Sequence, residues 1–156
     1  GSVVPFFEKL IKDKTDHLPI THPEMTRFWI TLQEGVNFVL KNFDRMLGGE
    51  IFIPKIPSMR VVDLATSMAP ELEQREIGIR PGEKLHEIMC PQDDSHLTLE
   101  FEDHFVITPS IHYTSAGNRF TPNKIGEEGK PVKQGYEYNS GTNPDFLTVE
   151  ALKSYH

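Results

Sequence analysis

Apolar residues along the chain fall into short stretches of alternating helical and strand-like spacing. Phe6, Phe7, Leu10 and Ile11 recur three and four apart, which predicts a first helix over about Val3–Asp13. Ser2 is placed to cap that helix, and Pro5 sits in its first turn, where a missing N–H costs little. His17–Pro23 reads as extended, because two prolines restrict the residues before them. Met25–Ile30 is a short β-like run. Thr31-Leu32-Gln33-Glu34 has the form of a capping box. Leu32, Val36, Val39, Leu40 and Phe43 make the apolar stripe of the helix it opens, with Gly48-Gly49 as its C-cap. Glu50–Pro54 reads as a buried strand. Ser58 is placed to cap a helix bearing Val61, Leu64, Ala65 and Met68 on one face. Arg75–Ile79 is a second strand, followed by an Arg80-Pro81-Gly82-Glu83 turn and a short helix through Met89. Leu97, Leu99 and Phe101 alternate, as do Phe105 and Ile107, which predicts a hairpin. Ile111–Pro144 is poor in apolar residues and predicts an extended arm that needs a neighbour to order it. A last helix, Val149–Tyr155, is capped by Thr148.

Two isolated strands among helices do not complete a doubly wound sheet. The order predicts an α/β fold cut from a larger architecture, with a body at 1–110 and an arm plus C-terminal helix at 111–156. The chain has 156 residues, of which 37% are hydrophobic and 25% charged, within the range of an ordinary globular domain. Its formal net charge of −7 argues against a nucleic-acid partner, since few counterions would be released on binding. A compact anion site of two or three basic residues remains compatible with that balance. The single cysteine, Cys90, permits no internal disulfide and reads as a packing residue in a reducing compartment. No apolar run approaches the ~20 residues that span a bilayer, so no membrane partner is expected.

Candidate chemistry begins with what is missing. There is no Gly-x-Gly-x-x-Gly, no phosphate-binding loop of the Gly-x-x-x-x-Gly-Lys type, and no zinc spacing among the seven histidines. No tyrosine is followed four residues later by lysine. No catalytic residue is therefore assigned. Two clusters can grip an anion. In Thr26-Arg27-Phe28-Trp29, an arginine fork beside aromatics suits a phosphate; the alternative is an arginine paired with a carboxylate while the rings fill the core. In Gly78-Ile79-Arg80-Pro81-Gly82-Glu83-Lys84-Leu85-His86-Glu87, Arg80 can meet a diphosphate and Glu83 can accept from ribose hydroxyls; the alternative is a solvated turn. His86 reads as structural, and Asp93-Asp94 as turn and cap chemistry.

These strings, with Val3-Val4-Pro5-Phe6-Phe7, Gly48-Gly49-Glu50-Ile51-Phe52-Ile53-Pro54 and Tyr138-Asn139-Ser140-Gly141-Thr142-Asn143-Pro144, resemble the inverting UDP-N-acetylglucosamine (UDP-GlcNAc) 4,6-dehydratase/5-epimerases. Those enzymes are extended short-chain dehydrogenase/reductases of bacterial pseudaminic acid and capsule pathways. The resemblance implies a lyase that holds NADP on an N-terminal Rossmann domain and binds UDP-GlcNAc against a smaller C-terminal domain. Hydride leaves C4, water is eliminated across C5–C6, the hydride returns to C6, and C5 is inverted. By the same resemblance Arg27, Arg80 and Glu83 hold the nucleotide part, and Val3 lines that site. The Rossmann half and the Tyr/Lys pair have no counterpart here. The chain is thus expected to be the C-terminal, substrate-binding portion of such an enzyme, binding no cofactor by itself. It is expected to be cytoplasmic and homo-oligomeric, with the missing Rossmann domain as a partner. A non-catalytic UDP-sugar-binding or oligomerisation module is the alternative.

Overall fold

The structure, a computed structural model, describes residues 3–110 and 120–155. The Ser2 cap and the 111–119 part of the expected arm lie outside the described residues. The elements run α1 (Val3–Lys12), β1 (His17–Ile20), β2 (Thr26–Phe28), α2 (Leu32–Arg45), β3 (Ile51–Pro54), β4 (Ser58–Arg60), α3 (Val61–Met68), β5 (Glu73–Glu76), β6 (Ile88–Cys90), a 3-10 turn at Gln92–Leu97, β7 (Thr98–Glu100), β8 (His104–Ile107), β9 (Lys130–Pro131), β10 (Tyr138–Asn139) and α4 (Val149–Lys153). This is the expected mixture of helices and short strands. It divides into two compact units, one of Gly1–Trp29, Pro57–Glu87 and Ser140–His156, the other of Ile30–Ile56 and Ile88–Asn139.

The first unit is built on two small ladders and three helices. β1 pairs in parallel with β5, and β2 pairs antiparallel with β4. Phe7 of α1, Leu18 and Ile20 of β1, Leu64 and Ala65 of α3, and Leu152 of α4 meet in one buried cluster. Each full burial of such a side chain removes enough apolar surface to contribute about 1.5–3 kcal/mol. Thr148 caps α4 as expected, its side-chain oxygen accepting the Ala151 N–H.

The second unit centres on a four-stranded sheet in the order β3-β8-β7-β9, all antiparallel. The expected hairpin is β7–β8, and Leu99, Phe101 and Val106 bury one face of the sheet with Phe120. The 120–139 stretch, expected as part of an extended arm that needs a neighbour to order it, packs on this unit. Phe120 enters the core, β9 joins β7, and β10 pairs with β6. Tyr138 fixes β10 further: its hydroxyl donates to the Ile56 carbonyl and accepts the Ile56 N–H.

Several local expectations change. Ser58 lies in β4 and caps nothing; α3 begins at Val61 after Arg60. The helix expected after the Arg80–Glu83 turn does not form. Gly82 takes φ +85°, outside the helical region, and the chain enters β6 instead. α2 keeps its capping box but ends at Arg45, ahead of Gly48 and Gly49. Its apolar stripe is reversed. Leu32 is 86% exposed and Phe43 61%, with Val36, Val39 and Leu40 also exposed. The buried positions of α2 are Asn42 and Arg45. Strand β3 is likewise less covered than expected, with Ile53 buried but Ile51 exposed.

Candidate nucleotide-binding cluster

The first unit gathers both basic clusters onto one construction. β2 holds Thr26 and Arg27 against Arg60 and Met59 of β4, over the buried Met25 and Met59. Beside it runs the 80–87 segment, which has no helix or strand up to Glu87 and so depends on side chains for its position. Thr26 N–H donates to the Leu85 carbonyl at 3.0 Å. The Arg27 guanidinium donates to the carbonyls of Lys84 at 2.9 Å, Leu85 at 3.2 Å and its own neighbour Thr26 at 2.6 Å. Its Nε lies 3.6 Å from the Glu87 carboxylate. The arginine is a clip across the end of the 80–87 segment. Trp29 packs on the core cluster and against the Tyr155 ring at 5.4 Å.

A second set of contacts, between residues far apart in sequence, holds the same segment from the other side. Thr26 Oγ1 lies 2.7 Å from both His86 Nδ1 and Ser140 Oγ. Ser140 Oγ accepts the Glu87 N–H at 2.9 Å, and Ser140 N–H donates to the Glu87 carbonyl at 2.8 Å. Gly141 leaves room for the imidazole: a Cβ there would stand 2.6 Å from His86 Nδ1, closer than such contacts allow. His86, expected as structural, is part of this network. Thr26, Ser140 and Gly141 were not singled out from sequence, because no periodicity links residues 60 and 114 positions apart.

Arg80 and Glu83 sit together at the exposed tip of the segment. The Glu83 carboxylate accepts the Arg80 N–H at 3.0 Å, and the Glu83 N–H returns to the Arg80 carbonyl at 3.0 Å. Among the described residues the Arg80 guanidinium has no hydrogen-bond or ion-pair partner. Arg27 and the 80–87 segment are therefore joined directly, and Arg80 and Glu83 are joined to each other. Val3 lies in α1 and packs on the core cluster of the unit. A groove in this unit lined by Arg60, Asp63, Phe146, Leu147, Thr148 and Val149 contains none of the four.

Charge in the second unit serves structure. Arg45 is fully buried and donates to Glu127 at 2.7 and 3.0 Å, to Asp103 at 2.8 and 2.9 Å, and to Asn42 at 3.3 Å. Burial pushes the Asp103 carboxyl up, but hydrogen bonds from Arg45, His104 and Lys41 outweigh it and hold the group below the usual range. Arg45 likewise holds Glu127 low. Burial lowers His104, with Asp103 opposing, and its ring stacks on Phe101 at 4.5 Å. Burial, aided by Asp94, pushes the Cys90 thiol up to about 12, so it is an unreactive packing residue. Asp93 and Asp94 open the 3-10 turn. Among the described residues no three His, Cys, Asp or Glu side chains are grouped to hold a metal, and no helix is long and apolar enough to cross a membrane.

Known proteins share this sequence and fold. The chain is 60% identical over 152 residues to a UDP-N-acetylglucosamine 4,6-dehydratase (inverting) from Campylobacter jejuni subsp. jejuni serotype O:2. It is 56% identical to a protein of the same description from serotype O:23/36. Each match takes in 97% of this chain and 46% of the relative, so the chain spans under half the length of these relatives. The solved structure of Pen from Bacillus thuringiensis aligns with a TM-score of 0.76 at 30% identity, over 99% of this chain and 45% of that one. The family described as "Polysaccharide biosynthesis protein" matches residues 1–109; with that match over most of its length, the chain belongs to the polysaccharide biosynthesis protein family.

Proposed function

We propose that this chain is the C-terminal, nucleotide-sugar-binding portion of an inverting UDP-GlcNAc 4,6-dehydratase/5-epimerase. The parent enzyme makes a UDP-4-keto-6-deoxy sugar for a bacterial surface glycan, pseudaminic acid or capsule, in the cytoplasm. The observation that carries this reading is Arg80: an exposed guanidinium without a partner among the described residues, on a segment clipped in place by Arg27. The identity to the two Campylobacter dehydratases supports the choice of ligand.

On this reading Arg80 meets the diphosphate as a forked donor. Glu83 is kept at its side by the two backbone bonds and accepts from the ribose hydroxyls. Arg27 reaches the same diphosphate by exchanging its contact with Glu87 for phosphate oxygens, and Val3 contributes an apolar edge. These residues bind and orient; none moves a proton or hydride. The chain offers no Gly-x-Gly-x-x-Gly cradle and no Tyr-x-x-x-Lys pair, so its residues do not fit NADP, and the redox chemistry belongs to another part of the parent enzyme. A homo-oligomeric parent is part of the same proposal. The alternative, a UDP-sugar-binding or oligomerisation module without catalysis, shares the ligand site in its first form.

The test is a two-dimensional amide NMR titration of this chain with UDP. The expected result is shifts concentrated at Arg27, Arg80, Glu83 and Lys84. Shifts confined to the second unit would overturn the assignment, as would none at millimolar UDP.

A further inference from the structure

A helix of a folded domain normally turns its apolar stripe inward and its polar face to water. α2 does the reverse. Its stripe of Leu32, Val36, Val39, Leu40 and Phe43 is exposed over three turns, while Asn42 and the ion-paired Arg45 are buried. The reversal is firmly held. The Thr31 capping box fixes the start of the helix, and Arg45 ties its end to Asp103 and Glu127. A shallow groove runs along the first half of the stripe, lined by Ile30, Leu32, Gly35, Val36 and Leu40. No charged residue lines it. In the same unit β3 is an edge strand with Ile51 exposed, and among the described residues no strand pairs with its outer edge. Soluble proteins seldom leave such a face and such an edge uncovered together.

The occupant follows from length. Two relatives place this chain against 46% of themselves, and the solved relative against 45%. Each carries more than an equal length of further polypeptide. We propose that the exposed face of α2 is the docking surface for that remaining portion, which covers it with an apolar surface of its own. The face is apolar and uncharged, the composition of a domain core divided in two rather than of a polar-rimmed reversible interface. This inference rests on the reading that the chain is one portion of a longer dehydratase. Its test uses no nucleotide, so a failure here and a failure of ligand binding are told apart.

The experiment compares two proteins, each with and without the paired substitution Val36→Glu and Leu40→Lys. One is this chain as it stands. The other is a chimera in which the unmatched length of the Campylobacter jejuni serotype O:2 relative is joined to this chain. The substitutions place a favourable Glu-to-Lys pair one turn apart on exposed positions, so circular dichroism of the isolated chain should keep its melting temperature. The chimera should lose about 5 °C or more, because the same positions are buried there. A drop in the isolated chain would mean that the face is already covered within it and would overturn the proposal. So would a chimera that melts unchanged. Light scattering of the isolated chain supplies a further contradiction: a dimer abolished by the substitutions would assign the face to a second copy.

Discussion

Arg45 shows why a single charged residue can be legible in kind but not in place. It lies on the face of α2 opposite the apolar stripe, a position that ordinarily meets solvent. In the structure its guanidinium is buried, and its donors are taken by Asp103, Glu127 and Asn42. Arg45→Ala would leave a cavity, take the cation from Glu127 and leave Asp103 with Lys41 alone. Because those carboxylates are partly exposed, water recovers some of the loss, and a cost of about 2–3 kcal/mol is expected by urea denaturation. The same cluster sets an acid limit. Burial lowers His104 in the folded protein, so below about pH 6.5 the unfolded chain takes up a proton that the folded chain resists, and stability falls. Asp103 and Glu127 are held low when folded. Their contribution is complete above about pH 4.5, the unfolded carboxylate range, and is lost progressively as pH falls from there toward their lower folded values. Melting temperature followed from pH 8 to pH 3 should therefore decline in two stages, the second diminished in Arg45→Ala. In the first unit, Gly141→Ala sets a methyl group against the His86 ring. It should cost about 1–3 kcal/mol in the same assay. Thr26→Val, which removes the shared hydroxyl, should be costlier than Thr26→Ser, which keeps it. None of these long-range contacts leaves a trace in local spacing, whereas Arg27, Arg80 and Glu83 stand out in sequence only through the motif strings that carry them.

Elements were legible where local chemistry decides them. The Thr31 capping box forms in full, with the Thr31 oxygen accepting the Glu34 N–H and the Glu34 carboxylate accepting the Thr31 N–H. Thr31→Ala should lower stability by about 1 kcal/mol, measured by thermal denaturation. The β7–β8 hairpin and the Thr148 cap follow the same rule. Elements decided by distant packing were not legible. The apolar stripe of α2 establishes two faces but says nothing of which one meets the body, and here the inward face is won by Arg45 and its acids. The 80–87 segment looks helical after its turn, yet Gly82 adopts a left-handed φ and Ser140 takes the Glu87 backbone into a pairing of its own. The 120–139 stretch looks unstructured by composition. Its order comes from two buried rings, Phe120 and Tyr138, and from strand bonds to β7 and β6.

For the molecule as a whole, two compact units, one with an unmatched helix face and the other with a clipped basic segment, support the proposal that the chain is the substrate-binding portion of a longer enzyme. The nucleotide-sugar site is proposed to be carried by Arg27, Arg80 and Glu83. Calorimetric titration of this chain with UDP-GlcNAc, beside the Arg80→Ala, Glu83→Ala double variant, tests it most directly. One saturable site in the chain and at least tenfold weaker binding in the variant, equivalent to about 1.4 kcal/mol or more, are expected. Equal affinity in both proteins, or no heat from either at millimolar ligand, would contradict the proposal.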